Sequence, residues 1–498
     1  SMLSSNPLEQ LTPELNCQIF SYLSAKECGP CFEVSRNWHQ FLTQKAQWGS
    51  LTLPISSHRV CSSEHLTKLT VHFSRISSSN QDQVEFALSR APNLESVVLL
   101  IKNASRSQIR SIQPILMRLS KERWCPSLRQ LIIRGGPCNL TDDGVLNLTQ
   151  GCSKLSHFEF HPTSLVTNHS LVAMATNWPE LRSLTMLNCL GLNLGDGSAV
   201  GIFKLLEQCR ELRRLRLAIG HGIKPTFFTR LGKCAAQLTH LRMELIEGDQ
   251  GFDSWGELDG LDGLSGCSNL SSLALVDCGY PGPNAFASLA AHLTGLRHLL
   301  LKYGQTEPPS ASACINDQLL LAVAEHCPLL ETLRLADCQS ITDVGLSQLK
   351  LLSQLNRLTI RGCHGLRDPV SINNGQSHSP DADAGITTSG LASTVISCAK
   401  LSRLCVEFSM SHRLPDGDQL ISRLESKCGS IVNLSLIGLT DISHASLKFV
   451  GLKFASLTRL RLGCCSRIGE TARADFLRDG RPALLERDMV ELLESTQC

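Results

Sequence analysis

The feature that most constrains this chain is an apolar pattern, Leu-x-x-Leu-x-Leu with other apolar residues admitted, that recurs along most of its length. It begins at Leu66, Leu94, Leu128, Leu155, Leu181, Leu212, Leu238, Leu270, Leu296, Leu330, Leu355, Leu401, Ile431 and Leu457. The steps are 25 to 34 residues, with one of 46 between Leu355 and Leu401. Fourteen in-register matches exclude coincidence. A unit this short cannot bury its own apolar face, whereas stacked units share one continuous core. The 498 residues are therefore read mainly as a repeat array and not as a row of independently cored domains.

Within each unit the Leu-x-Leu segment alternates with the period of a strand, and a turn and a helical stretch follow. After Leu330 come Asp337-Cys338, then Ile341-Thr342-Asp343 as a turn and helix cap, then helical apolar spacing over 344–352. Thr141-Asp142-Asp143-Gly144 and Thr440-Asp441-Ile442 are signals of the same kind. The expected fold is α/β, a leucine-rich-repeat solenoid over 51–465 with a parallel sheet on its concave side and helices on its convex side. Residues 246–264 and 303–313 read as insertions, and 365–390 as a longer loop inside the 46-residue step. That loop either folds over the concavity beside Arg361 and Arg403 or is a tolerated surface excursion. Residues 466–498 are expected to form a helical cap, with one or two helices over 470–495.

The chain has 22 cysteines, and the repeat gives them positions. Cys125, Cys152, Cys209, Cys267, Cys327, Cys398 and Cys428 each stand three residues before a unit's first leucine or isoleucine. Cys189, Cys278, Cys338, Cys363 and Cys465 stand eight residues after it. Two fixed slots imply small buried thiols in a reducing compartment. Cys28-x-x-Cys31 and Cys464-Cys465 lack the second pair of ligands that a zinc site needs. Met2 to Leu11 shows no apolar run behind a basic start, and no stretch reaches the roughly 18 apolar residues of a membrane span. The expected location is cytoplasmic, nuclear or both, without membrane contact.

Lys and Arg total 47 against 45 Asp and Glu, a net charge of +2. That balance argues against indiscriminate attraction to nucleic acid, but it averages over unequal surfaces. Strand alternation turns three residues per unit toward the concavity. Of these 42 positions, twelve are basic: Lys68, Arg134, Arg214, Arg216, Arg242, Lys302, Arg334, Arg357, Arg361, Arg403, Arg459 and Arg461. Only Glu159, Glu244 and Glu407 are acidic, so this face carries +9 and the rest of the chain −7. Arginine suits bidentate recognition of carboxylate and phosphate. All of these except Lys68 are taken as candidate substrate-binding residues for an acidic or phosphorylated protein. Whether an inositol phosphate or another anionic small molecule also sits there is left open; no other cofactor and no metal is expected.

Residues 8–50 lack the repeat and read as a compact helical module. Leu11-Thr12-Pro13-Glu14-Leu15, Ile19-Phe20-Ser21-Tyr22-Leu23, Glu27 and Val34-Ser35-Arg36-Asn37-Trp38 closely resemble the F-box, and Trp48 before Leu51-x-Leu53 is similar to its usual exit into repeats. The chain departs from that pattern at Thr12, Asn16 and Cys28. Taken with the repeats, it resembles the F-box/leucine-rich-repeat family of the cysteine-containing subtype. The resemblance implies a substrate receptor that docks a Skp-family adaptor and, through it, a cullin–RING ubiquitin ligase. Adaptor contact then falls to Leu11, Pro13, Glu14, Leu15, Ile19, Phe20, Leu23, Val34 and Trp38. So apolar a set exceeds what a module of this size buries internally. No phosphate loop, His-Glu-x-x-His helix or Gly-x-Ser-x-Gly elbow stands in a suitable context, so no catalytic residue is expected. Two other readings remain: a repeat scaffold or inhibitor without a ligase role, and a pathogen effector that borrows a host ligase.

Overall fold

The computed structural model describes residues 50–54, 67–73, 93–101, 127–135, 140–161, 166–189, 192, 199–219, 225–245, 260–278, 285–302, 315–365, 385–409, 413–463 and 490–493. The F-box-like module before Ser50, with its nine adaptor-contact candidates, lies outside them. So do 246–259, 303–314, 366–384 and 464–489.

The chain divides into two compact units, Ser1–His221 with Ile246–Asp249, and Gly222–Leu245 with Gln250–Cys498. The N-terminal unit carries β1 (Ser50–Pro54), β2 (Lys68–Phe73), β3 (Ser96–Ile101), β4 (Gln130–Arg134), β5 (His157–Phe160), β6 (Ser183–Cys189) and β7 (Arg214–Ile219), each parallel to the next. The C-terminal unit carries β8 (His240–Leu245), β9 (Ser272–Val276), β10 (His298–Lys302), β11 (Thr332–Ala336), β12 (Arg357–Cys363), β13 (Arg403–Phe408), β14 (Asn433–Ile437), β15 (Arg459–Gly463) and β16 (Val490–Leu493), likewise parallel in chain order. Every one of the fourteen expected strands, β2 to β15, is present two residues after its motif begins. The fold is the expected α/β leucine-rich-repeat solenoid.

Alternation is strict where it matters. In β10, Leu299 and Leu301 are buried while His298 and Lys302 are exposed; in β12, Leu358 and Ile360 are buried between Arg357, Thr359 and Arg361. One face of each strand thus joins the leucine core and the other faces the concavity. Each leucine taken fully out of water contributes about 1.5–3 kcal/mol, and neighbouring repeats contribute in the same way.

The helices are locked to one another by a recurring contact. Thr342 caps the helix Asp343–Gln348 by accepting from Val344 N at 3.1 Å. Its own N–H and Oγ1–H donate to Asp317 of the preceding repeat at 2.9 and 2.5 Å. Thr387 repeats the arrangement with Asp343 at 3.0 and 2.6 Å, and in the N-terminal unit Thr167 does so with Asp142 at 2.8 and 2.6 Å. Three residues beyond the threonine stands Gly345 or Gly390, where a Cβ would run into the same carboxylate. At that slot in the other case Ser170 donates to Asp142 instead. Burial pushes the Asp142 carboxyl up, but the bonds from Ser170 and Thr167 outweigh it and hold it below its ordinary value.

The thiol slots are interior. Of the twelve slot cysteines, Cys125 and Cys465 lie outside the described residues and the other ten are buried. Those described before the first leucine sit at helix C-termini, and three of them bond to a neighbouring repeat: Cys209 Sγ donates to Trp178 O at 3.3 Å, Cys327 Sγ to Leu293 O at 3.7 Å and Cys398 Sγ to Leu349 O at 3.6 Å. Burial pushes the thiols of Cys189, Cys267, Cys278 and Cys327 up to about 12.

Two details refine the sequence reading. Val490–Leu493, placed by sequence in a helical segment, is instead a strand that continues the ladder from β15. Four residues with three apolar side chains pair readily with the open edge of a parallel sheet. The described residues that flank the insertion meet, with Ile386 N–H donating to His364 O at 2.8 Å and Gly365 bridged to Ile386.

Candidate functional site

The eleven candidate substrate-binding residues fall into distinct environments. In the N-terminal unit, Arg134 grips Glu159 with two bonds, Nε to Oε1 at 2.6 Å and Nη2 to Oε2 at 3.0 Å. His161 adds a third contact to Glu159 at 3.2 Å. Burial raises the Glu159 carboxyl, yet the bonds from His161 and Arg134 prevail and bring it down to about 2. Arg214 and Arg216 lie on β7 in the same unit. Burial, followed by the charges of Arg214 and Arg182, lowers the pKa of His157.

In the C-terminal unit, Arg242 on β8 is paired with Glu244 at 3.0 Å. Seven further candidates line one cavity of about 560 Å³: Lys302, Arg334, Arg357, Arg361, Arg403, Arg459 and Arg461. No carboxylate is among its described lining residues. Two of the seven are nevertheless countered from outside it, Lys302 by Asp277 at 3.1 Å and Arg361 by Glu407 at 3.4 Å. Among the described residues, Arg334, Arg357, Arg403 and Arg459 make no ion pair.

The strands that carry this cavity set its pattern. Three rows run across them. The first is Thr332, Arg357, Arg403, Asn433 and Arg459. The middle row is Leu300, Arg334, Thr359, Cys405, Ser435 and Arg461. The third row is Lys302, Ala336, Arg361 and Glu407. Arg357 and Arg403 are thus direct register partners. Like charges facing each other across strands cost stability, and a bound anion removes that cost.

Several lining residues lay outside the sequence prediction. Thr359, Cys405, Asn433 and Ser435 supply the neutral polar floor between the arginines. Their concave positions were legible in the repeat, but their residue types carried no charge to mark them. Asp277 was missed as well, because it follows β9 in a left-handed turn, φ 54°, outside the alternating positions. Asp337 occupies the same slot with φ 64°, and Gly362 does so on β12 with φ 72°. There the register between β12 and β13 shifts, between Arg361 and Cys363.

Comparison with known proteins assigns no family to the chain. No protein-family model matches it. It is similar to Rad7 in the yeast Rad7–Elc1 complex, at 17% identity and a TM-score of 0.43, over 78% of this chain and 88% of that one. It is similar to a Leptospira interrogans leucine-rich-repeat protein at 13% identity and a TM-score of 0.39, over 86% and 95%. A third likeness is to TLR13 in complex with an RNA, at 16% identity and a TM-score of 0.37, over 89% and 63%.

Proposed function

We propose that this chain is the substrate-recognition subunit of a Skp–cullin–F-box ubiquitin ligase. Residues 8–50 dock the Skp-family adaptor, and the concave face of the C-terminal unit holds an acidic or phosphorylated protein. The chain itself makes no bond; an E2 enzyme carried by the RING partner supplies ubiquitin. The observation that supports the substrate half is the cavity with seven cations and no described carboxylate in its lining. The adaptor half rests on the F-box resemblance of Leu11–Leu15, Ile19–Leu23 and Val34–Trp38.

The two halves separate experimentally. With the adaptor co-expressed, Ile19→Glu with Phe20→Glu abolishes its co-purification. Arg334→Glu, Arg357→Glu and Arg361→Glu together abolish substrate capture and leave the adaptor bound. A folded wild-type chain that binds no adaptor refutes the ligase role and leaves a repeat scaffold. Unchanged capture by the triple variant removes the concave face from substrate binding.

A further inference from the structure

Register and charge together narrow the ligand. Along the sheet five of the cavity's seven cations form two groups. Arg357 and Arg403 stand side by side on β12 and β13, with Arg334 beside them on β11; Arg459 and Arg461 both rise from β15. Between the groups β14 presents the uncharged Asn433 and Ser435. Ser435 Oγ is shielded from solvent and has no hydrogen-bond partner among the described residues.

The spacing is set by backbone geometry. Hydrogen-bonded strands lie about 4.8 Å apart, so the middle of the Arg357/Arg403 pair is about 12 Å from β15, two and a half strand intervals. An extended peptide rises about 3.3 Å per residue and turns alternate side chains to the same face. Residues i and i+4 then face the floor together about 13 Å apart, residues i and i+2 reach only about 7 Å, and i+3 points away.

The chemistry favours phosphate. A phosphorylated side chain carries close to two negative charges and three acceptor oxygens, enough to satisfy two guanidinium forks at once. A carboxylate brings one charge. No aromatic side chain is among the described lining residues, so the floor offers no platform on which bases of a single-stranded nucleic acid would stack.

We propose that this cavity reads an extended peptide lying across β12 to β15 with two phosphorylated residues four positions apart. One phosphate is held by Arg357 and Arg403, the other by Arg459. This rests on the reading of the cavity as the substrate site and adds a spacing rule to it.

The test uses the full-length chain and fluorescent peptides of one composition, with two phosphoserines separated by two, four or six positions, read by anisotropy at fixed salt. The four-residue spacing is expected to bind at least tenfold tighter than either alternative. Arg403→Gln or Arg459→Gln, each with an unchanged circular-dichroism spectrum, should erase that preference while some affinity for a singly phosphorylated peptide remains. The four-spaced peptide should also shield Cys405, which lines the cavity, from alkylation detected by peptide mass spectrometry. Equal affinity at all spacings overturns the spacing rule and leaves an anion-binding substrate site. Binding by none of the peptides, with the spectrum intact, overturns the phosphate reading itself. Binding without protection of Cys405 overturns the location, and a single-stranded oligonucleotide that competes at equal charge overturns the choice of a peptide.

Discussion

Arg357 and Arg403 are register partners on adjacent parallel strands, and neither makes an ion pair among the described residues. Two like charges held at one strand spacing work against folding by about 0.2–1 kcal/mol. Arg403→Glu converts the pair to an attractive one. It is expected to raise the unfolding free energy by about that amount while capture of an anionic ligand is lost. Denaturant unfolding alongside a binding assay checks both; a variant that loses stability and keeps binding contradicts the account.

The carboxylate of Asp317 receives both the N–H and the hydroxyl of Thr342 from the next repeat. Asp317→Ala removes a bond partner that neighbouring helices share and should cost about 1–2 kcal/mol, the range of a lost helix cap. Asp317→Asn, which keeps one acceptor, should cost less. The denaturant midpoint orders the three proteins.

Gly390 leaves room for Asp343, and Gly345 leaves room for Asp317. Gly390→Ala places a methyl against that carboxylate, and the expected loss is about 1–3 kcal/mol, as for other overpacked interiors. An alanine usually favours a helix, so a stabilised variant would show that the contact carries no weight.

Glu159 is held at about 2 by His161 and Arg134, below the ordinary carboxylate value of 4.5. A depressed folded-state pKa contributes stability that is present above the unfolded value and lost as pH falls toward the folded one. Thermal unfolding of the wild type should therefore weaken between about pH 5 and about pH 2 more steeply than that of Glu159→Gln. The two melting curves should converge at the acid end; parallel curves throughout would remove Glu159 from the balance.

Thiols whose pKa is pushed up to about 12, such as those of Cys189 and Cys327, present almost no thiolate at neutral pH. They should resist iodoacetamide in the native protein and react in denaturant. Cys405, half-buried on the cavity floor, should be labelled natively. Peptide mass spectrometry reads each site separately.

Much of this protein is legible in its sequence. A leucine or other apolar residue at every second strand position, repeated fourteen times, determines where the strands lie and which side of each is buried, because the two-residue period is covalent geometry. The cysteine slots and the basic character of the concave face follow from the same register. Which of those charges remain available was decided by the tertiary structure. Arg134 is neutralised by Glu159 and Lys302 by Asp277, each 25 residues away in the chain. Arg334, Arg357, Arg403 and Arg459 have no such counterpart among the described residues. The Asp–Thr lock between helices and the strand at Val490–Leu493 were hidden for the same reason. The repeat dictates what each unit presents, but a charge or cap is satisfied across the gap between units, and only the stacking of one repeat on the next determines what stands on the other side.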